Sequence, residues 1–148
     1  MNHAISFTIH GHPEPAGSKR AFIIGGHANV VDANPKASKW KLYVAACATR
    51  ALAGTGLSMP ACTGPVELRL TFTLARPKGH MRTGKNAGRV KDSAPKDHIT
   101  KPDVLKLARG VEDALTGIYY VDDAQITVEI LRKQYGEVEG VEVGLIAL

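Results

Sequence analysis

A chain of 148 residues, 44% hydrophobic and 22% charged, is sized for one domain with a modest core, residues 1–148. It holds no apolar run near the ~20 residues of a membrane span, and its two cysteines, Cys47 and Cys62, form no C-x-x-C pair, which argues against a zinc site or a redox dithiol. The formal net charge of +5 and pI of about 9.3 suit a polyanionic partner without proving one.

Met1 to His10 lacks the basic-then-apolar build of a signal peptide, so the cytoplasm is the expected compartment. From Ala4, the alternation of Ile5, Phe7 and Ile9 with Ser6, Thr8 and His10 predicts a half-buried strand. Residues 11–20 (GHPEPAGSKR) read as a loop from their Gly and Pro content. Gly25-Gly26 lies between two short β-prone runs, 22–24 and 28–31, and predicts a hairpin rather than a phosphate cradle. Asn34-Pro35 then opens a helix, with Asn as cap and Pro in the first turn. Trp40, Val44, Cys47 or Ala48, and Ala51 recur at helical spacing, and Gly54 and Gly56 end the helix.

Val66, Leu68, Leu70, Phe72 and Leu74 mark one face of a second alternating strand. Residues 76–101 show no periodicity. They carry eight basic residues and two acidic ones, a net +6 against +5 for the whole chain. A loop this long in a small domain is functional or disordered. A second helix is expected over 102–116, with Val104, Leu107, Ala108, Val111, Ala114 and Leu115 on its apolar face. Two closing strands, 125–135 and 141–148, complete an α+β pattern. Both helices are expected on one face of a small mixed β-sheet.

Residues 100–125 (TKPDVLKLARGVEDALTGIYYVDDAQ) hold the chemistry-bearing residues. An aspartate stands at the start of the second helix and an Asp-Asp pair follows it. Hard divalent cations take carboxylate oxygens. A helix of this length spans about 21 Å, so Asp103 and Asp123 meet only if the chain returns along the helix after Gly117. Arg109, roughly 240° round the helix from Asp103, has the reach to touch a phosphate nearby. The same residues have a plain reading: Thr100 to Asp103 has the form of a helix-capping box, and Asp122-Asp123 that of a solvated turn. His10 and His12 lack a third ligand nearby, so zinc is not expected there. Trp40 reads as core. Tyr119 and Tyr120 alternate if extended, one toward a nucleic acid and one toward the core.

Lys101-Pro102-Asp103, Leu107, Asp113-Ala114-Leu115 and Asp122-Asp123-Ala124-Gln125, in this order and spacing, resemble the RusA-type Holliday junction resolvases. Gly17-Ser18-Lys19-Arg20 and Asn34-Pro35-Lys36 agree with the same family. The resemblance implies a small homodimeric endonuclease, often phage-encoded, that cuts four-way DNA junctions with Mg²⁺ or Mn²⁺. By motif position it implies Asp103 and Asp123 as catalytic metal ligands, with Asp122 beside them. Arg109 falls at the family's catalytic lysine. The +6 charge of residues 76–101 makes Arg76, Arg82, Lys85, Arg89 and Lys101 expected DNA contacts, with Lys19 and Arg20 from the early loop. Leu105 departs from the pattern, because it stands where the family has a second catalytic aspartate. That departure leaves open a junction-binding protein with weak or lost cleavage. Charge alone also admits an RNA- or single-strand-binding domain.

Overall fold

The structure, a computed structural model, describes residues 3–148. Strand β1 (Ala4–His10) is followed by a hairpin, β2 (Lys19–Ile24) and β3 (His27–Asp32), then helix α1 (Pro35–Ala53) and strand β4 (Val66–Leu74). Helix α2 (Val104–Leu115), strand β5 (Ile126–Tyr135) and strand β6 (Gly140–Ala147) complete the chain. Four strands form a mixed sheet in the order β1-β6-β4-β5, with β4 and β5 parallel and the other pairs antiparallel. Both helices pack on one face of it, which is the expected α+β architecture.

The alternation of β4 explains its central place. Val66, Leu68, Leu70, Phe72 and Leu74 are all buried, facing Val141, Val143 and Leu145 of β6 on the same side. Each such side chain contributes about 1.5–3 kcal/mol of burial. Asn34 caps α1 by accepting from the Lys36 backbone N–H at 3.1 Å, and Pro35 occupies the first turn. The inner stripe of α1 is Ala37, Trp40, Val44, Ala48 and Leu52. Spacing alone allows Cys47 or Ala48 at the third position; packing selects Ala48, and Leu52 rather than Ala51 is the last buried residue. Cys62 is buried and Cys47 half-buried, both as free thiols.

The β2–β3 hairpin stands apart as its own two-stranded sheet. Gly25 and Gly26 turn it with φ of 57° and 79°, angles that side-chain-bearing residues rarely adopt. Residues 75–103 form a folded lobe, with short 3₁₀ turns at Lys78–His80 and Gly84–Asn86 and an antiparallel bridge between Met81 and Val90. The lobe is stapled to β5. The buried His98 ring lies 4.6 Å from that of Tyr135, and Lys133 donates to the carbonyls of Thr100 (2.6 Å) and Pro102 (3.0 Å).

Two local expectations are corrected. Tyr119 and Tyr120 are both fully buried, so neither faces a nucleic acid. The chain turns at Gly117 instead of extending, and the Tyr120 hydroxyl donates to the Glu112 carbonyl at 2.8 Å. The Thr100 capping box does not form either: Asp103 itself is the N-cap residue of α2, and its side chain caps nothing. Among the described residues no helix is long and apolar enough to cross a membrane.

Candidate functional site

The candidate residues sit at the two ends of α2. At its start, Asp103 is exposed, in a cleft of about 410 Å³ lined by His12, Pro15, Ala16, Gly17, Lys101, Pro102 and Lys106. The Gly/Pro loop after β1 builds the other wall. It is tied to α2 by the Ala16 N–H, which donates to the Lys106 carbonyl at 2.9 Å. Asp32 ties it to α1, accepting from the backbone N–H of Gly17 (2.7 Å) and of Asn34 (2.8 Å). A Cβ at position 17 would collide with that carboxylate and with the Asn34 backbone nitrogen, so only glycine fits. Partial burial opposes the Asp32 charge, but the two backbone donors outweigh it and hold the carboxyl below its ordinary range.

At the other end, Asp122 and Asp123 begin a 3₁₀ turn, Asp123–Gln125. Asp122 accepts from the Ala124 N–H at 2.8 Å, and the Gln125 side chain accepts from the N–H groups of Val121 (2.7 Å) and Asp122 (3.1 Å). Gln125 also donates to the carbonyls of Cys62 (3.2 Å) and Gly64 (2.8 Å), which anchors the turn beside the start of β4. The D-D-A-Q motif is therefore a self-capped turn that holds two exposed carboxylates in place. The hydrogen bond from Asp122 raises the Asp123 carboxyl above its ordinary value, helped by burial and the neighbouring charges.

Sequence reasoning missed two carboxylates at this end. Glu112 of α2 shares a hydrogen bond with Glu129 of β5. Burial first, then that bond and the charges of Glu129, Asp123 and Asp113, push Glu112 up to about 8. A weak signal existed in the strand pattern: Glu129 and Lys133 alternate with Leu131 and Tyr135 in register with Leu68 to Leu74, although Glu129 itself is exposed.

The chain returns along α2 only after Asp123, as β5, so the return does not carry Asp123 to Asp103. Lys133, near the end of β5, touches the segment just before Asp103, whereas Asp123 directly precedes the start of β5. The helix rise puts the two aspartates about 18 Å apart, and the strand between them measures about 23 Å. Among the described residues no three His, Cys, Asp or Glu side chains gather closely enough to hold a metal ion. The donors themselves are all carboxylates, which matches the chemistry of Mg²⁺.

The candidate DNA contacts divide in two. Arg76 is structural: its guanidinium lies 4.4 Å over the Tyr135 ring and donates to the Pro95 carbonyl at 2.8 Å. Arg82 pairs with Asp92 at 3.1 Å. Lys19, Arg20, Lys85, Arg89 and Lys101 are exposed and make no ion pair among the described residues, as does Arg109 midway along α2. His12 pairs with Glu139 at 2.7 Å, which removes it from any pairing with His10.

A mixed sheet under two helices, with exposed carboxylates at both ends of the second helix and a basic lobe beside it, has the features of a small nuclease. The chain belongs to the RusA family of junction-resolving endonucleases, described as Endodeoxyribonuclease RusA, which matches residues 12–146. It is 34% identical over 143 residues to "Uncharacterized protein YqaN" of Bacillus subtilis (strain 168), covering 94% of this chain and 93% of that protein. The family is typically Mg²⁺-dependent.

Proposed function

We propose that this protein is a Mg²⁺- or Mn²⁺-dependent endodeoxyribonuclease that nicks four-way DNA junctions as a homodimer. The observation that carries this reading is the family match together with the ordered carboxylate motif of residues 101–125. Asp103 and Asp123 would hold the cation, with Asp122 beside them. The chemistry the cation supplies when bound is polarisation of the scissile phosphate and a lowered pKa for the attacking water. Arg109 would stabilise charge developing on the phosphate. A guanidinium is a planar fork rather than the point charge of the lysine expected there, so it binds phosphate in a different geometry. Lys19, Arg20, Lys85, Arg89 and Lys101 would track the DNA backbone. Two opposed nicks need two sites related by symmetry, which a two-fold dimer provides.

Incubation of a labelled four-way junction with and without Mg²⁺ or Mn²⁺ tests this. Nicks in the presence of cation only are expected; uncut junction under all conditions would reject the activity. The observation favouring a second reading is Leu105, which is 64% exposed beside Asp103 and ligates nothing. Under that reading the protein binds junctions and cleaves them weakly.

A further inference from the structure

We propose that the β2–β3 hairpin is a DNA arm whose apolar end enters the branch point of a junction, with Ile23 and Ile24 setting a preference for branched over linear DNA. The inference rests on the reading above that the substrate is a four-way junction, and it names the element that senses the branch.

The fold leaves this hairpin bare. Every residue of β2, and every residue of β3 except Asp32, is exposed. Five large apolar side chains, Phe22, Ile23, Ile24, Val30 and Val31, stand in solvent on these two strands, with Ile23 76% and Ile24 63% exposed. A contiguous apolar patch on a folded chain marks a surface that a partner covers. The register sorts the ribbon into two faces. Ala21, Ile23, Ala28 and Val30 share one; Arg20, Phe22, Ile24, His27, Asn29 and Val31 share the other. The Gly25-Gly26 turn carries no side chains, which leaves Ile23 and Ile24 as the bulk nearest the tip.

Three observations select nucleic acid as the occupant. The first is charge. Lys19, Arg20, Lys36 and Lys39 are exposed and make no ion pair among the described residues. Asp32 is the sole acidic residue between Gly17 and Trp40, and its carboxylate is held by the backbone N–H groups of Gly17 and Asn34. Free cations at the foot of an apolar ribbon complement phosphates flanking the apolar faces of bases. The second is shape. A two-stranded ribbon fits a DNA groove, and strands of six residues span about 20 Å. The third is position. Gly17, at the foot of the hairpin, lines the cleft that holds Asp103, and Lys101, at the end of the basic lobe, lines it too. The foot is rigid, because the Ala33 N–H donates to the Ser18 carbonyl at 2.9 Å beside the Asp32 contacts. DNA with a phosphate at Asp103 therefore runs past the hairpin.

An apolar side chain inserted into a continuous duplex must break the stacking of a base step. At a branch point the strands part and stacking is already interrupted, so the same insertion costs less. The apolar end thereby converts burial into selectivity for structure rather than for sequence.

The full chain and its Ile23→Gln/Ile24→Gln variant are compared without metal, so that no strand is cut. Equal melting is expected, since the hairpin is bare. The variant should bind a four-way junction about tenfold more weakly and a linear duplex of the same sequence equally well. Ile23→Val/Ile24→Val, which stays apolar, should keep the preference. 2-Aminopurine at the branch point should brighten when the wild-type protein binds and stay dark with the Gln variant. A Gln variant that keeps the wild-type preference and brightens the probe would overturn the proposal. So would a change of oligomeric state in light scattering, which would give the hairpin to a second copy of the chain. A wild-type protein that binds junction and duplex alike overturns the junction reading and this inference together. One that prefers junctions but nicks none with Mg²⁺ loses only the activity, and the probe still decides the role of the hairpin.

Discussion

The start and the end of α2 are built from the same kind of residue and do opposite electrostatic things. At the start, one carboxylate, Asp103, stands in a cleft with Lys101 and Lys106. At the end, Glu112 and Glu129 share a hydrogen bond near Asp122 and Asp123, no ion pair reaches any of the four among the described residues, and burial with these charges pushes Glu112 up to about 8. The start thereby sets its carboxylate among positive charges, and the end gathers negative charge. A nuclease needs both properties at one scissile phosphate, and this chain has put them a helix length apart.

The sharpest way to break the comparison is to remove one carboxylate from each end. Asp123→Asn is expected to cut the nicking rate by a factor of about 10²–10³ or more, with folding and junction binding intact, since a ligand is lost and the shape is kept. Asp103→Asn should do the same, with a small loss of melting temperature from its position at the helix start. Wild-type nicking by either variant would remove that residue from the site.

Next in size is the basic side. Neutralising Arg82, Lys85 and Arg89 together should weaken binding to all junction sequences and flatten the salt dependence by about two to three units of log–log slope. An unchanged slope would free the lobe of any DNA role. Arg76→Ala should behave differently, because its guanidinium is spent on Tyr135 and the Pro95 carbonyl. A drop of about 1–2 kcal/mol in stability is expected, read by denaturant melts.

Leu105→Asp adds a carboxylate at the poorer end. The expected result is nicking at a several-fold lower Mg²⁺ concentration with an unchanged melt, read by metal titration. A lower melting temperature or a split dimer without any gain in metal affinity would instead make Leu105 a packing residue.

The smallest effect concerns the richer end. Glu112 is raised from 4.5 to about 8 in the folded chain, so between those values the folded state holds a proton that the unfolded state has lost. Stability therefore falls as pH rises through this window. Glu112→Gln should remove the dependence, leaving the metal-free protein about 1–2 kcal/mol more stable at pH 9 and unchanged near pH 4, after discounting for partial solvent screening. Equal melts for both proteins across this range would show that Glu112 is not held protonated.

Much of this was legible in the chain itself, and for a physical reason. Period-two alternation names the buried face of β4, and the 3.6-residue period names that of α2, because both depend only on local backbone geometry. Asn34-Pro35 and Gly25-Gly26 are equally local, since a cap and a turn are satisfied within a few residues. The K-P-D, D-A-L and D-D-A-Q segments identified the family through order and spacing alone. Distances between elements are another matter. The parallel pairing of β4 with β5 carries the chain across the sheet through α2, so β5 begins where α2 ends, and Asp123 is held far from Asp103. The same packing buried both Tyr119 and Tyr120, drew Arg76 onto Tyr135, and brought Glu112 to Glu129 across two elements. Spacing along a chain fixes which residues share a face, but only the tertiary structure decides which faces and ends meet, because those contacts depend on the path of the intervening chain.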